Sequence, residues 1–191
     1  MGVNMPLAMI GQEAVWREVY RELGLTDKQL ESFFVGPAHL PWGWMGNIDG
    51  VGGPLPQSWI DQRAELQKKI LARMRSMGMK PVLQGFTGHV PKELSEIFPD
   101  ADMIQINDWA GIPGTMFLSP TDPLFSTIGT LFIQKQTEMF GTDHLYDADA
   151  FIEVDPPSSD PEFLSGVSRA VYESMSAADP EAVWVLQGWF F

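Results

Sequence analysis

Glu153 lies in the segment FIEVDPPSSDP, residues 151–161, flanked by apolar residues and followed by a Pro-Pro pair that brakes the chain. A carboxylate in that setting has two readings. It is a solvated acid at a loop edge, or a proton donor whose neighbours Phe151 and Ile152 favour the protonated form that general acid catalysis needs. His89, in Thr87-Gly88-His89, is either a hydrogen-bonded strand-end histidine or a base. Asp147 and Asp149 form a D-x-D pair, but no glycine or closing glutamate follows at calcium-loop spacing, so they read as polar strand residues and not as metal ligands. Trp42, Trp44, Trp109 and Trp189 fall in loops or at strand ends, where indole faces are available to a ligand, whereas Trp16, Trp59 and Trp184 fall on core faces. A carboxylate among aromatic rings suits glycoside chemistry, in which ring faces pack on the sugar and the glycosidic oxygen needs a proton. The chain has no G-x-S-x-G elbow, Walker loop or G-x-G-x-x-G run, and nothing resembles a zinc triad, so no cofactor or metal is expected.

The elements that must position these groups follow from periodicity. The apolar stretch at 5–10 reads as a buried strand, and QEAVWREVYREL as an amphipathic helix stopped by Gly24. Thr26 with Gln29 makes a capping-box pattern for a shorter helix reaching about Phe34. Residues 35–57 are rich in glycine and proline and read as one long loop, a length that usually signals function or a missed element. Ser58, with Asp61 at the capping-box position, opens a helix to about Met77 with Leu66, Ile70, Met74 and Met77 on one face. PVLQGF reads as a strand, KELSEIF as a short helix and DMIQI as a weak strand or an extended segment ahead of the Trp109 loop. A helix capped within Ser119–Asp122 runs to Gly141, HLYDADAF is the next strand, Ser159 with Glu162 caps another helix, and AVWVLQ is the last strand. Strands alternating with helices predict parallel βαβ units, whose working residues gather at the strand carboxyl ends. Thr87 to His89, Glu153 and Trp189 all follow such strands.

Bulk properties narrow the field. The chain of 191 residues is 45% hydrophobic and 19% charged, a globular composition sufficient for one core. Twelve basic against 25 acidic residues give a net charge of -13, which repels phosphate backbones and anionic lipid, so nucleic acid is a poor partner. The absence of cysteine removes disulfides and thiolate chemistry. The amino terminus has no basic region before its short apolar run, and no run reaches the roughly 18 apolar residues of a span, so neither a signal peptide nor membrane insertion is expected. AVWVLQGWFF stops without a polar tail, which reads as a chain cut short.

The motifs GQEAVW, FFVGPAHLPWGWMGN, GGPLPQSW, RMRSMGMKPVLQGFTGHVP, FGTDHLYDADAFIEVDPPSS and AVWVLQGWFF, in this order across essentially the whole chain, resemble the α-N-acetylglucosaminidases of glycoside hydrolase family 89. The resemblance implies an α/β fold: residues 1–191 as part of one (β/α)8 TIM-barrel catalytic domain, about strands two to five with their helices, truncated at both ends. It implies retaining removal of terminal non-reducing α-linked N-acetylglucosamine from a glycan by two glutamates, with Glu153 as the general acid/base. Trp42, Met45, Trp109 and Trp189 match positions lining the sugar pocket, while His89 lies in a GHVP motif with no catalytic role to carry over. The family's nucleophile is expected near the seventh strand, beyond Phe191, so the isolated chain is expected to be inactive. Ile152 departs from the polar residue that many relatives carry there. The DWAGIPGTMF loop is shorter than in animal members and lacks their cysteines, which suggests a bacterial type. The resemblance implies a secreted, periplasmic or lysosomal setting and leaves open mucin-type or glycosaminoglycan substrates. An inactive carbohydrate-binding barrel scaffold is the alternative from another class.

Overall fold

The computed structural model describes residues 2–187. A bridging residue at Leu7 leads into helices α1 (Gln12–Glu22), α2 (Asp27–Leu30), α3 (Leu40–Trp44) and α4 (Gln57–Ser76). Then follow β1 (Leu83–Gln84), β2 (His89–Val90), α5 (Leu94–Ile97), β3 (Met103–Gln105) and β4 (Met116–Leu118). The chain continues through α6 (Pro123–Phe140), β5 (Leu145–Asp147), α7 (Pro161–Ala178) and β6 (Val183–Val185).

The main sheet is parallel and keeps chain order. Leu7 bridges Val82 in parallel, β1 pairs with β5, and β5 pairs with β6, with Leu83 opposite Tyr146 and Tyr146 opposite Trp184. Neighbours in space that are also neighbours in sequence are what a barrel wall requires, whereas a doubly wound sheet reverses its order at a switch point. The described residues form an open segment of such a wall.

A second sheet was not legible in advance. β4 pairs antiparallel with both β2 and β3, and this three-stranded unit is inserted between β1 and α6. DMIQI is therefore a strand of a loop-borne sheet and not of the wall.

The helices are held by their ends and their apolar faces. The Thr26 hydroxyl accepts from the Gln29 amide and Gln29 Oε1 accepts from the Thr26 N–H, so the capping box is formed. The Asp122 carboxylate caps α6 and that of Asp160 caps α7, one residue beyond the Ser159 expected. α4 begins with Gln57, and Asp61 accepts from Gln57 Nε2 and Arg17 Nη1, so the capping box expected from Ser58 does not form. Its buried positions are Ile60, Ala64, Gln67 and Leu71, whereas Leu66 and Met77 of the expected face are exposed. Trp16 stacks on Tyr20 at 5.4 Å and meets Phe132 at 4.3 Å and Phe86 at 5.8 Å, which locks α1 to α6 and to the strand end of β1. α3 replaces part of the long loop read at 35–57, with Pro41 in its first turn, where the missing N–H costs nothing.

Candidate functional site

Three loops meet at the carboxyl ends of the parallel strands. The first is the α2–α4 connection with α3 and Met45, the second runs from β1 through the small sheet, and the third is 148–160 between β5 and α7. Gln84 Nε2 donates to the Trp44 carbonyl at 3.0 Å, which ties the first loop to the end of β1. The Thr115 hydroxyl donates to the Gly46 carbonyl at 2.6 Å, which ties it to the second. Asn47 Nδ2 donates to the Ile152 carbonyl at 2.7 Å, which ties it to the third.

Glu153 stands in the turn that begins at Ala150, six residues after β5 ends at Asp147 and not directly after a strand. Phe151 and Glu153 both have left-handed backbones, with φ of 62° and 58°. Neither residue is glycine, so each carries a steric cost of about 1–2 kcal/mol, a pattern concentrated where structure holds a side chain in one direction. Glu153 lines a cavity of about 420 Å³ together with Met45, Phe151, Leu164, Val167 and Trp184. The residue is exposed, so the burial expected from Phe151 and Ile152 is not supplied by the described residues.

The other expected contacts divide. Met45 lines the same cavity as Glu153. Trp42 and Trp109 lie with ring centroids 6.1 Å apart and tilted by 44°, forming an aromatic corner. Trp109 is presented by a tight turn in which its N–H and that of Ile112 exchange bonds of 2.9 Å with each other's carbonyls. The Trp42 carbonyl accepts from the Asn47 N–H at 2.9 Å, so the aromatic corner and the Glu153 turn share one residue as a strut. Trp189 lies outside the described residues. Trp44 is half-buried, its Nε1 donates to Glu13 Oε1 at 2.7 Å, and it lines a smaller space of about 130 Å³ beside Met45. Burial pushes the Glu13 carboxyl above its ordinary range, and the Trp44 bond opposes that shift. His89 Nε2 lies 2.8 Å from Asp49 Oδ1 and its ring packs on Phe33, so this ring is already engaged.

Sequence reasoning passed over a polar floor. Gln84 and Asp147 are register partners on adjacent strands and line a smaller space of about 130 Å³ with Asp149, Ile152, Met45 and Gln187. Burial, and then the neighbouring Asp149 carboxylate, push the Asp147 carboxyl up to about 7. Gln187 Nε2 donates to Asp147 at 2.8 Å and the Gln187 N–H donates to Asp149 at 3.1 Å. The D-x-D spacing carried a signal for this pair, but nothing in sequence marked Gln84, Gln187 or Asn47. Among the described residues no cluster of histidine, aspartate and glutamate could hold a metal ion, and no helix is long and apolar enough to cross a membrane.

Parallel strands in chain order, with loops from three connections converging on their carboxyl ends, define a segment of an α/β barrel. The model of the alpha-N-acetylglucosaminidase (NAGLU) tim-barrel domain matches residues 1–191. The chain belongs to that family. Human alpha-N-acetylglucosaminidase is 47% identical over 194 residues, which cover 100% of this chain and 26% of that protein. The Family 89 glycoside hydrolase from Clostridium perfringens in complex with 2-acetamido-1,2-dideoxynojirmycin superposes with a TM-score of 0.90 at 36% identity, covering 99% of this chain and 22% of that one. A variant of the Clostridium perfringens enzyme with two glutamates replaced by glutamine, in complex with its substrate GlcNAc-alpha-1,4-galactose, gives 0.91 at 35%, with the same coverage of both chains. The chain thus spans about a quarter of the length of these relatives.

Proposed function

We propose that the complete polypeptide carrying this chain is a retaining exo-α-N-acetylglucosaminidase, to which this chain contributes about the second to fifth barrel strands and the acid/base Glu153. The observation that carries the reading is the Glu153 turn: a carboxylate on left-handed backbone, at the carboxyl end of a parallel wall, lining one cavity with Met45. Kinship with a Family 89 enzyme described with a GlcNAc-containing substrate supports the substrate class.

In this reading a terminal N-acetylglucosamine enters the mouth of the wall, with Trp42, Met45, Trp109 and Trp189 around it. Pyranose C–H faces pack on the indole rings, and the rest of the glycan extends toward solvent. Glu153 protonates the glycosidic oxygen as the bond to the anomeric carbon breaks, and a second carboxylate, about 5–5.5 Å away, forms the glycosyl intermediate. Glu153 then takes a proton from the water that releases the sugar. The second carboxylate is assigned to the barrel beyond residue 191. Because Glu153 is exposed here, exclusion of water around the carboxyl falls to the bound glycan and to the remaining barrel loops.

The complete polypeptide should release N-acetylglucosamine from α-linked but not β-linked substrates, and the Glu153→Gln protein should bind the disaccharide but turn it over at least about 10²-fold more slowly. Undiminished turnover of the disaccharide by Glu153→Gln would overturn the assignment.

A further inference from the structure

We propose that Asn47 is the positioning residue of the Glu153 turn; the inference rests on the acid/base reading of Glu153 given above. Asn47 is fully buried, and its Nδ2 donates to the carbonyl of Ile152, the residue that precedes Glu153, across a separation of 105 positions. The turn it grips is poor at holding itself. Residues 151 and 153 both sit in the left-handed region, and the local bond from the Val154 N–H to the Phe151 carbonyl is long at 3.4 Å. A side-chain donor locked elsewhere in the fold is what such a segment needs to keep one direction.

Asn47 is itself well anchored. Its N–H donates to the Trp42 carbonyl at 2.9 Å, and the preceding Gly46 carbonyl takes the Thr115 hydroxyl at 2.6 Å. Gly46 has φ of 77° and packs against the His89 ring, which Asp49 holds from the other side. The strut therefore joins three parts of the site: the aromatic corner through Trp42, the small sheet through Thr115, and the carboxylate through Ile152. The amide Oδ1 of Asn47 has no hydrogen-bond partner among the described residues, so its Nδ2 donation, and not a fully satisfied polar network, is what the buried amide contributes there.

A strut of this kind acts on proton delivery and hardly at all on a substrate whose leaving group departs without help. The test uses the complete polypeptide with two substrates: GlcNAc-α-1,4-galactose, which has a poor leaving group, and an aryl α-N-acetylglucosaminide with a good one. Asn47→Ala removes the donor, and Asn47→Leu removes it while keeping the branching and the number of side-chain heavy atoms, so that a packing cavity cannot account for the result. Both should lower kcat/KM for the disaccharide by about 10²-fold, as misplacement of a catalytic group does, and leave the aryl substrate within roughly threefold. Combined with Glu153→Gln, Asn47→Leu should cause no further loss on the disaccharide, since residues that act as a unit are not additive. Equal losses on the two substrates in Asn47→Leu, or full additivity in the double variant, would overturn the positioning role. The Glu153→Gln control separates the two claims. If it shows no leaving-group dependence the acid/base reading fails, whereas if it does and Asn47→Leu does not, only the strut fails.

Discussion

Gln187 Nε2 sits 2.8 Å from Asp147 Oδ2 and, through its own backbone N–H, 3.1 Å from Asp149 Oδ2, so one residue at the end of β6 bridges two carboxylates at the end of β5. Burial holds Asp147 protonated well above the ordinary carboxylate range, up to about 7 against 3.8. Between those values unfolding releases a proton, so raising the pH through this window destabilises the fold. Asp147→Asn removes that liability and keeps an oxygen for Gln187. The variant should match the parent near pH 4 and exceed it by on the order of 2 kcal/mol above about pH 7. Thermal melts across this range check it; a constant difference at every pH would contradict the account.

Asp179 titrates in the opposite direction. Its burial alone would push the carboxyl up, but hydrogen bonds from Tyr146, His144 and the Glu181 N–H outweigh burial and hold it below the ordinary value. The stability it contributes is present above the unfolded value near 3.8 and is lost as pH falls through the folded one. Tyr146→Phe removes a 2.7 Å bond from a fully buried hydroxyl and should cost about 1–2 kcal/mol near neutrality. That cost should shrink in acid, as measured by denaturant midpoints at successive pH values.

Gly129 lets α6 approach α7. A Cβ there would press on Ser174 Oγ, come within 2.6 Å of Ser174 Cβ and stand 3.1 Å from Phe86 Cδ1. Gly129→Ala should therefore lower stability by about 1–3 kcal/mol despite its better helix propensity. An unchanged or raised melting temperature would show that the two helices are not packed as described.

Trp42 and Trp109 form their corner with each other, so each should contribute binding that is the same in the ground and transition states. Trp42→Ala or Trp109→Ala should raise KM roughly tenfold, equivalent to about 1.4 kcal/mol, with kcat changed far less. Loss confined to kcat would place these rings elsewhere in the mechanism.

What could be read from the sequence was local. The capping box at Thr26 and Gln29, the helix ends at Gly24 and Gly141 and the parallel wall all follow from neighbouring residues or from simple periodicity. β2 and β4 escaped notice because His89–Val90 and Met116–Leu118 are too short to show alternation and are strands only through pairing, β2 with β4 and β4 with both β2 and β3. α4 carries apolar residues on more than one face, and only packing decides that Ile60 and Leu71 turn inward while Leu66 and Met77 do not. Glu153 and its aromatic neighbours were visible as residue types in loops. The Asn47 strut and the Asp147, Gln187 and Gln84 floor were not, because each depends on a partner tens of residues away.

The central claim is that Glu153 delivers the proton to the departing glycan. The measurement that reaches it most directly compares kcat/KM of Glu153→Gln and wild type, in the complete polypeptide, on GlcNAc-α-1,4-galactose and on an activated aryl α-N-acetylglucosaminide. The account predicts a fall of at least about 10²-fold on the disaccharide, with the aryl substrate within about tenfold of wild type. Equal rate constants for the two proteins on the disaccharide, or equal losses on both substrates, would contradict it.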